Sequence, residues 1–350
     1  MTKRLLSVGM ALALTIAVAA CGSSSSSTSS SSGGSSSSPL VGAGSTLVAP
    51  LMSKWQSDYA SKTKETVTYG AIGSGGGIAQ ITSRTVDFGA SDAPLTSEQF
   101  KEANGVEQIP WALSGTVPAY NVKGAPKNLK LNGEVLAGIY LGKITAWNDP
   151  AIAKLNPGAS LPSTKITPVY RSDGSGDTYA FTNYLSTVSP EFKSKVGAST
   201  TVKFPTGVGA EKNDGVAAAI SQTDGAIGYV GLAYALSNEL SMPLVENSAG
   251  SFPVPGVKSV TAAAAAVSKI GPNNEISLAG LPSTAKGAYP ISTYTYVIVP
   301  LKTEKADALK KFITYAIGPA AQEFGPDLDF APLPAQVVAA DKKAIAKIGG

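Results

Sequence analysis

The chain has 350 residues, of which 43% are hydrophobic and 15% charged, and this length and apolar content predict a well-cored globular protein of two domains. Its net charge of +4 argues neither for nor against nucleic acid, and no basic run interleaved with aromatic residues supports such a partner. Because the chain has no histidine and one cysteine, Ser-His-Asp catalysis, Cys-His catalysis and the common histidine-ligated zinc sites are excluded.

The N-terminus has the features of an export signal. Lys3 and Arg4 precede the apolar stretch Leu5–Val18, which is too short to span a bilayer with ordinary flanks. Small residues then lead into Cys21, a spacing that resembles a bacterial lipobox. That resemblance implies a signal peptide over residues 1–20 and a lipid anchor on Cys21, held stably if two or more acyl chains are attached. The alternative is an ordinary secretory signal with an incidental cysteine.

A serine-rich segment, Gly22–Ser38, follows the cysteine. It cannot bury enough apolar surface to offset its chain entropy, so residues 21–38 are predicted to form a lipidated, disordered tether. The serine run could also carry sugars, which the sequence leaves open. No second hydrophobic stretch qualifies as a membrane span.

The first globular elements alternate between helix and strand. Pro50–Ala60 is predicted to be a helix that begins at Pro50, with one apolar face made of Leu51, Met52, Trp55 and Tyr59. The next predicted elements are a strand over Thr66–Tyr69, a helix over Gly77–Thr85 and a short buried strand over Val86–Ala90. This alternation predicts an α/β domain whose loops share one edge of the sheet.

The later elements continue this pattern. Trp111–Asn121 is apolar and strand-like from Thr116, and we expect it to cross into a second domain. Ile291–Pro300 is the predicted return strand, and Ala306–Ile317 is a predicted amphipathic helix with Leu309, Phe312, Ile313 and Ala316 inward. Between them we predict two short helices around Trp147, strands over Ile166–Tyr170 and Ala226–Val230, and helices over Thr178–Leu185, Asp214–Ser221 and Val260–Ser268.

Four short stretches rich in Gly, Ser and Thr interrupt these elements: Gly42–Pro50, Gly73–Gly77, Gly89–Leu95 and Arg171–Asp177. Three of them run into predicted helices, whose first N–H groups lack intrahelical partners and carry partial positive charge. Several such helix starts brought together suit a small tetrahedral oxyanion. Each stretch taken alone is explained at least as well as a turn, a helix cap or a structural ion pair.

The order of these stretches resembles the phosphate-binding subunit of Pst-type ABC importers over essentially the whole chain after the tether. The matching segments are GAGSTLVAP (42–50), GIAQITSRTVDFGASDAPL (77–95), LGKITAWNDPAIAKLNPG (141–158), YRSDGSGDTYAFTNYLS (170–186) and the NDG…GAIGYV run (213–230). The resemblance implies an α/β periplasmic-binding-protein type II fold, in which two lobes joined by two crossover strands close around dehydrated phosphate. Lobe 1 would comprise residues 39–115 plus 290–350 and lobe 2 residues 116–289, with crossovers near Gly115–Val117 and Pro290–Ser292.

The same resemblance implies the residues that bind phosphate. Arg171 would supply the only full positive charge, with Asp173 holding its guanidinium, and Asp92 would accept a hydrogen bond from the protonated ligand. Backbone N–H groups and hydroxyls at three helix starts would complete the site: Ser45, Thr46 and Leu47 at the first, Ser74 at the second, and Ser175, Gly176 and Asp177 at the third. Leu47 stands where many members have Phe and Asp177 where many have Thr, so the donors and protons used at the Asp177 corner stay open.

The chemistry of Asp92 agrees with this assignment. Phosphate near neutral pH keeps at least one proton, whereas sulfate keeps none, and a buried carboxylate can only accept a hydrogen bond. Sulfate would therefore place an acceptor against an acceptor and leave a desolvated lone pair uncompensated. If Asp177 also points at the ligand, we hypothesise that it adds a second proton acceptor and biases binding toward H₂PO₄⁻ at lower pH.

These features predict a lipid-anchored binding protein on the extracytoplasmic face of the cell membrane. It would capture inorganic phosphate and deliver it to the permease and ATPase subunits of the importer, with no chemical step, cofactor, metal or nucleic-acid partner, and as a monomer. A receptor for sulfate or molybdate is one rival, but it has no use for Asp92 as an acceptor. A hydrolase would need carboxylate-bound metals, and a purely structural lipoprotein would show no ligand-dependent change.

Overall fold

The computed structural model describes residues 39–267 and 269–350. The predicted signal peptide (1–20), the lipid anchor on Cys21 and the tether (22–38) lie outside the described residues and stay predictions. Across the described part of the chain, no helix combines the length and the apolar character that crossing a membrane requires.

One sheet of eight strands organises the described chain. The described residues form ten strands, of which eight belong to this sheet. The ten strands are β1 (Leu40–Gly44), β2 (Val67–Ala71), β3 (Phe88–Ser91), β4 (Val106–Asn121), β5 (Lys130–Leu131), β6 (Thr167–Arg171), β7 (Val208–Ala210), β8 (Ala226–Gly231), β9 (Leu244–Val245) and β10 (Ser292–Pro300). The order in the sheet is β2-β1-β3-β10-β4-β8-β6-β7, and β5 and β9 form a separate parallel pair. Parallel strands occupy both ends of the sheet, while β10 and β4 run antiparallel to their neighbours at its centre.

The described residues also form thirteen α-helices. They are α1 (Ala49–Thr63), α2 (Ser74–Thr82), α3 (Ser97–Ala103), α4 (Gly133–Tyr140), α5 (Pro150–Leu155), α6 (Gly176–Val188), α7 (Pro190–Lys195), α8 (Lys212–Gln222), α9 (Leu232–Ser237), α10 (Val257–Ala265), α11 (Ala306–Ala316), α12 (Pro319–Gln322) and α13 (Ala335–Ala346). The predicted apolar face of α1 is confirmed, because Leu51, Met52, Trp55 and Tyr59 are its buried residues. The predicted inward face of α11 is confirmed in the same way by Leu309, Phe312, Ile313 and Ala316.

Strand β4 runs through the middle of the sheet for 16 residues. Its first part, residues 106–115, pairs with β10, and its second part, residues 116–121, pairs with β8. We call the strands on the β10 side the first sheet half and those on the β8 side the second sheet half. The change of partner at Gly115–Thr116 coincides with the predicted crossover, and the lobe boundaries stay a prediction.

The prediction that β4 becomes strand-like only from Thr116 is wrong, since the strand begins at Val106. All residues from Val106 to Tyr120 are buried, and a strand covered on both faces shows no polar alternation in its sequence. Pro110 also lacks the N–H that a central strand uses, and it lies where the pairing with β10 shifts register. Neither feature can be read from a local apolar pattern.

Aromatic side chains fill the core on each side of this strand. In the first sheet half, the Trp111 ring meets the rings of Trp55, Phe88 and Phe312 edge-on, with centroids 5.4 to 6.1 Å apart. In the second, Phe181 stacks on Tyr229 at 4.6 Å and meets Tyr140 at 4.9 Å. Such contacts add about 0.5–1.5 kcal/mol each beyond the burial of apolar area, and the aromatic residues of both halves belong to one continuous cluster of buried side chains.

Helix α13 carries a buried carboxylate outside these cores. Asp341 is fully buried, and neither of its side-chain oxygens has a hydrogen-bond partner among the described residues. Burial alone raises the pKa of Asp341 to about 8. The side chain is therefore largely protonated at neutral pH, because an unpaired buried charge is costly.

Candidate functional site

Three helix starts meet at one edge of the sheet. Helices α1, α2 and α6 each follow the end of a parallel strand, namely β1, β2 and β6. The first N–H groups of each helix have no intrahelical acceptor and carry partial positive charge. This edge therefore has the partial charges that an oxyanion requires.

Asp92 lies at the centre of this edge, just after β3, and only 1% of it is exposed. Its carboxylate accepts hydrogen bonds from three hydroxyls. Ser45 Oγ lies 2.6 and 2.7 Å from the two oxygens, Thr295 Oγ1 lies 2.6 Å from Oδ1, and Ser74 Oγ lies 3.3 Å from Oδ2. An ionised carboxylate has no hydrogen to donate, so Asp92 is an acceptor toward all of them.

The charge of Asp92 is finely balanced near neutral pH. Burial raises the pKa of Asp92 to about 7, and the nearby Asp177 carboxylate adds to the rise. The Ser45 and Thr295 hydroxyls and the positive charge of Arg171 oppose it. A buried group with its pKa near the working pH, within a set of convergent polar groups, is a candidate for ligand recognition.

Arg171 is the cation of the site. It ends strand β6, and its guanidinium contacts two carboxylates while its side chain is only 1% exposed. Nε donates to Asp173 Oδ1 at 2.7 Å and Nη2 donates to Asp173 Oδ2, a two-bond pair that fixes the guanidinium plane. Nη1 donates to Asp177 Oδ2 at 3.1 Å. Asp173 thus holds the guanidinium as expected from the sequence, while contact between Arg171 and an anion stays a prediction.

Asp177 is the second residue of α6 and is fully buried. Besides Arg171, it accepts hydrogen bonds from Thr116 Oγ1 at 2.7 Å and from Asn213 Nδ2 at 2.8 Å. Burial raises the pKa of Asp177 above its ordinary value, and Arg171 opposes that rise. Arg171, Thr116 and Asn213 all donate hydrogen bonds to the Asp177 carboxylate. Asp177 therefore stabilises the Arg171 guanidinium, and it also lies within the site.

Direct hydrogen bonds join the two sheet halves across the site. Gly75 N–H donates to Gly174 O at 2.9 Å, and Gly176 N–H donates to Ser74 Oγ at 3.0 Å. Asn213 Nδ2 donates to Thr46 Oγ1 at 2.8 Å as well as to Asp177. A Cβ on Gly176 would lie 2.4 Å from Asp92 Cβ, so only glycine allows the two halves to approach this closely.

The nine predicted ligand residues do not all present side chains to this network. Ser175 Oγ caps α6 by accepting from Thr178 N–H at 3.3 Å, so the capping interpretation holds for its hydroxyl. The Leu47 side chain packs against Gly231, which leaves only its backbone for binding. Ser45, Thr46, Ser74, Asp92, Arg171, Gly176 and Asp177 are brought together by the hydrogen bonds described above.

Three polar residues of the network lie outside the predicted set of ligand residues: Thr295, Thr116 and Asn213. All three are fully buried. Thr295 lies in a segment predicted as a strand from its alternation and Thr116 in one predicted from its apolar character, and a polar residue inside a predicted strand is the one local signal for either. Asn213 begins the NDG run that contributes to the family resemblance, but the resemblance assigns no function to its side-chain amide.

The formal charges of the site are mainly negative, because one arginine lies among three carboxylates (Asp92, Asp173 and Asp177). An anion here would be held by helix N–H groups and hydroxyls together with Arg171, rather than by excess positive charge. Within residues 39–267 and 269–350, no group of three or more acidic or cysteine side chains is placed to hold a metal ion. The arrangement can thus bind and discriminate an oxyanion that carries a proton.

Comparison with known proteins gives consistent matches. A profile of the PBP superfamily domain matches residues 24–320. The chain is 44% identical over 300 residues to the phosphate-binding protein PstS of Xylella fastidiosa strain Temecula1, and the alignment covers 85% of this chain and 82% of that protein.

Solved structures match as well. A high-affinity periplasmic phosphate-binding protein (PfluDING) bound with phosphate gives a TM-score of 0.70 at 21% identity, covering 89% of this chain and 99% of that one. An ABC-type phosphate transport receptor from Vibrio cholerae gives a TM-score of 0.56 at 19% identity, covering 84% of this chain and 100% of that one. At these identities the likeness concerns the fold alone, and it confirms the expected type II periplasmic-binding-protein architecture.

Proposed function

This chain belongs to the PBP superfamily and, within it, to the PstS-type phosphate-binding proteins, and from that premise we propose the role of each site residue. As a solute-binding protein it captures inorganic phosphate and delivers it to an ABC transporter. The observation that carries this function is the buried Asp92 carboxylate among three helix starts. Its carboxylate accepts a hydrogen bond from the P–OH group that phosphate keeps near neutral pH and that sulfate lacks.

In the proposed complex, phosphate replaces some of the hydrogen bonds that the site now makes with itself. Backbone N–H groups at Thr46, Leu47, Ser74, Gly176 and Asp177 donate to the phosphate oxygens, together with the hydroxyls of Ser45, Thr46 and Ser74. The Ser175 hydroxyl accepts from Thr178 N–H as a helix cap and donates its own hydrogen to the anion. Arg171 donates to the anion while Asp173 holds its plane. Asp92 accepts a hydrogen bond from the hydroxyl group of the ligand, and this bond selects a protonated oxyanion.

Asp177 is proposed to set the proton content of the ligand. Its carboxylate lies beside Arg171 and within the same buried cluster as Asp92. If it faces the anion, it provides a second acceptor and favours H₂PO₄⁻ at lower pH. No chemical step is assigned to the site, because binding and release are sufficient for delivery.

Delivery is proposed to depend on two further features. Two lobes would open and close about the β4 and β10 crossovers, one made of residues 39–115 plus 290–350 and the other of residues 116–289. The permease and ATPase subunits would recognise the closed form. A lipid on Cys21 and the serine-rich tether would keep a monomer at the extracytoplasmic face of the membrane. The bonds Gly75–Gly174 and Ser74–Gly176 across the site support a closed form of this kind.

The test is titration of the full-length protein with phosphate and sulfate by calorimetry, alongside the fluorescence of Trp55, Trp111 and Trp147. We expect saturable phosphate binding that sulfate does not displace. Asp92→Asn replaces an acceptor by a group that can also donate, so phosphate should bind at least about 10-fold more weakly and sulfate should begin to compete. Asp341→Asn, a buried aspartate outside the site, is the matched control and should keep the parent's discrimination. Equal binding of both anions by the parent would overturn the role of Asp92.

A further inference from the structure

Strand β10 places two threonines on Asp92. Thr293 and Thr295 are two residues apart and therefore point to the same face of the strand. Thr293 Oγ1 donates to the Asp92 backbone oxygen at 2.8 Å, and Thr295 Oγ1 donates to the Asp92 carboxylate at 2.6 Å. The pairing of β10 with β4 shifts register directly after Thr295. Such irregularities often re-aim a side chain at a functional site.

The two carboxylate oxygens of Asp92 have different surroundings. Ser45 lies within hydrogen-bond distance of both oxygens, whereas Thr295 in the sheet donates to Oδ1 alone. Oδ2 is the oxygen bonded to Ser74, and a Cβ on Gly176 would lie 2.5 Å from it. Oδ2 therefore faces the helix starts, where the ligand is proposed to bind.

The hydroxyls around Asp92 also differ in what else they can do. Ser45 bonds both oxygens and accepts from Val48 N–H, and Ser74 accepts from Gly176 N–H, so both lie at helix starts and can turn toward a bound anion. Thr295 lies in the sheet, and within the described residues its hydroxyl bonds only to Asp92. Thr295 is thus the donor that stays with the carboxylate when a ligand engages the other two.

We propose, on the basis of the phosphate-binding function above, that Thr295 is a specificity-determining positioning residue. Its hydroxyl occupies Oδ1 of Asp92, so Oδ2 is the oxygen that meets the ligand's proton. The same bond stabilises the ionised form of the carboxylate, so that Asp92 accepts a hydrogen bond and does not donate one. Thr295 acts through Asp92 and does not itself touch phosphate.

The loss of this donor has a definite chemical consequence. Burial raises the pKa of Asp92 to about 7, and Thr295 is one of the groups that lower it. Without Thr295 the carboxylate protonates more readily, and a protonated carboxyl can donate to sulfate. The other titratable or charged groups that interact with this carboxylate are Asp177, Arg171, Tyr69 and Tyr234, and all of them remain in a Thr295 variant.

The test compares Thr295→Val with the parent in full-length protein. Phosphate affinity and its inhibition by sulfate are measured at pH 6 and pH 8. We expect the preference for phosphate over sulfate to fall by about 10- to 100-fold, the range for one hydrogen bond to a charged group, and to fall more at pH 6. Thr295→Ser keeps the donor and should restore the parent's preference at both values.

Thr116→Val is the matched control, because Thr116 is also a fully buried threonine that donates to a site carboxylate, in this case Asp177. This variant should bind phosphate more weakly, and sulfate should still fail to compete with phosphate. Should Thr295→Val fail to fold, Thr295→Cys keeps a similar volume with a weak S–H donor and must shift the preference in the same direction. Parent-like preference in the Val or Cys variant, or an equal loss in Thr116→Val, would overturn the role of Thr295. A parent that fails to bind phosphate would instead contradict the function itself.

Discussion

The buried carboxylate of Asp341 allows a stability prediction with a defined magnitude. Its folded pKa is about 8, against an ordinary value of 3.8. Between these two values the unfolded chain releases the Asp341 proton while the folded chain keeps it, so the folded state binds more protons and stability falls as pH rises. Each pH unit corresponds to about 1.4 kcal/mol, which gives a loss of about 4 kcal/mol between pH 4 and pH 7.

Asp341→Asn removes this titration while keeping the shape of the side chain. We expect the variant and the parent to unfold with similar free energies near pH 4, and the variant to be more stable by about 4 kcal/mol at pH 7. Urea unfolding followed by circular dichroism at intervals from pH 4 to 8 measures the difference. Glu304→Gln removes an exposed carboxylate and is the control. A difference between Asp341→Asn and the parent that does not change with pH would refute the reasoning.

Three further predictions concern the site. Arg171→Lys loses the planar two-bond contact with Asp173, so phosphate affinity should fall by about 10-fold or more in calorimetry; an unchanged affinity would contradict the assigned role. Asp177→Thr should flatten the dependence of phosphate affinity on pH between 5 and 8, and a profile identical to the parent's would refute a proton-setting role for Asp177. Gly176→Ala places a Cβ 2.4 Å from Asp92 Cβ, so binding should weaken by more than about 10-fold while circular dichroism stays native; full affinity would show that the halves need not approach as closely as described.

The architecture can be predicted from the sequence where the local pattern of residues agrees with the tertiary structure. The apolar face of α1 and that of α11 follow the helical period, and both are buried. Helix α2, in contrast, begins at Ser74 and not at the predicted Gly77. Glycines are poor helix formers, so the sequence Gly75–Gly77 does not by itself indicate a helix. The hydrogen bond from Gly75 N–H to Gly174 O at this helix start joins residues far apart in the sequence.

The site could be predicted as far as residue types and order allow. The helix starts, Asp92 and Arg171 were accessible because they lie in the recognisable Gly/Ser/Thr stretches. Thr295 was not, since its bond to Asp92 joins residues 203 positions apart. Long-range contacts of this kind depend on sheet order, which a single sequence does not reveal.

The position of β10 between β3 and β4 also constrains the order of folding. The Thr295–Asp92 bond joins residues 203 positions apart, so the Asp92 carboxylate gains its hydrogen bond from β10 only after most of the chain has been made. Contacts between residues so distant in sequence slow folding, since loop closure must precede them. An N-terminal fragment that ends before residue 292 would leave β3 and β4 with unpaired edges. Phosphate binding should therefore arise in the last phase of refolding, together with the docking of β10, and not before it.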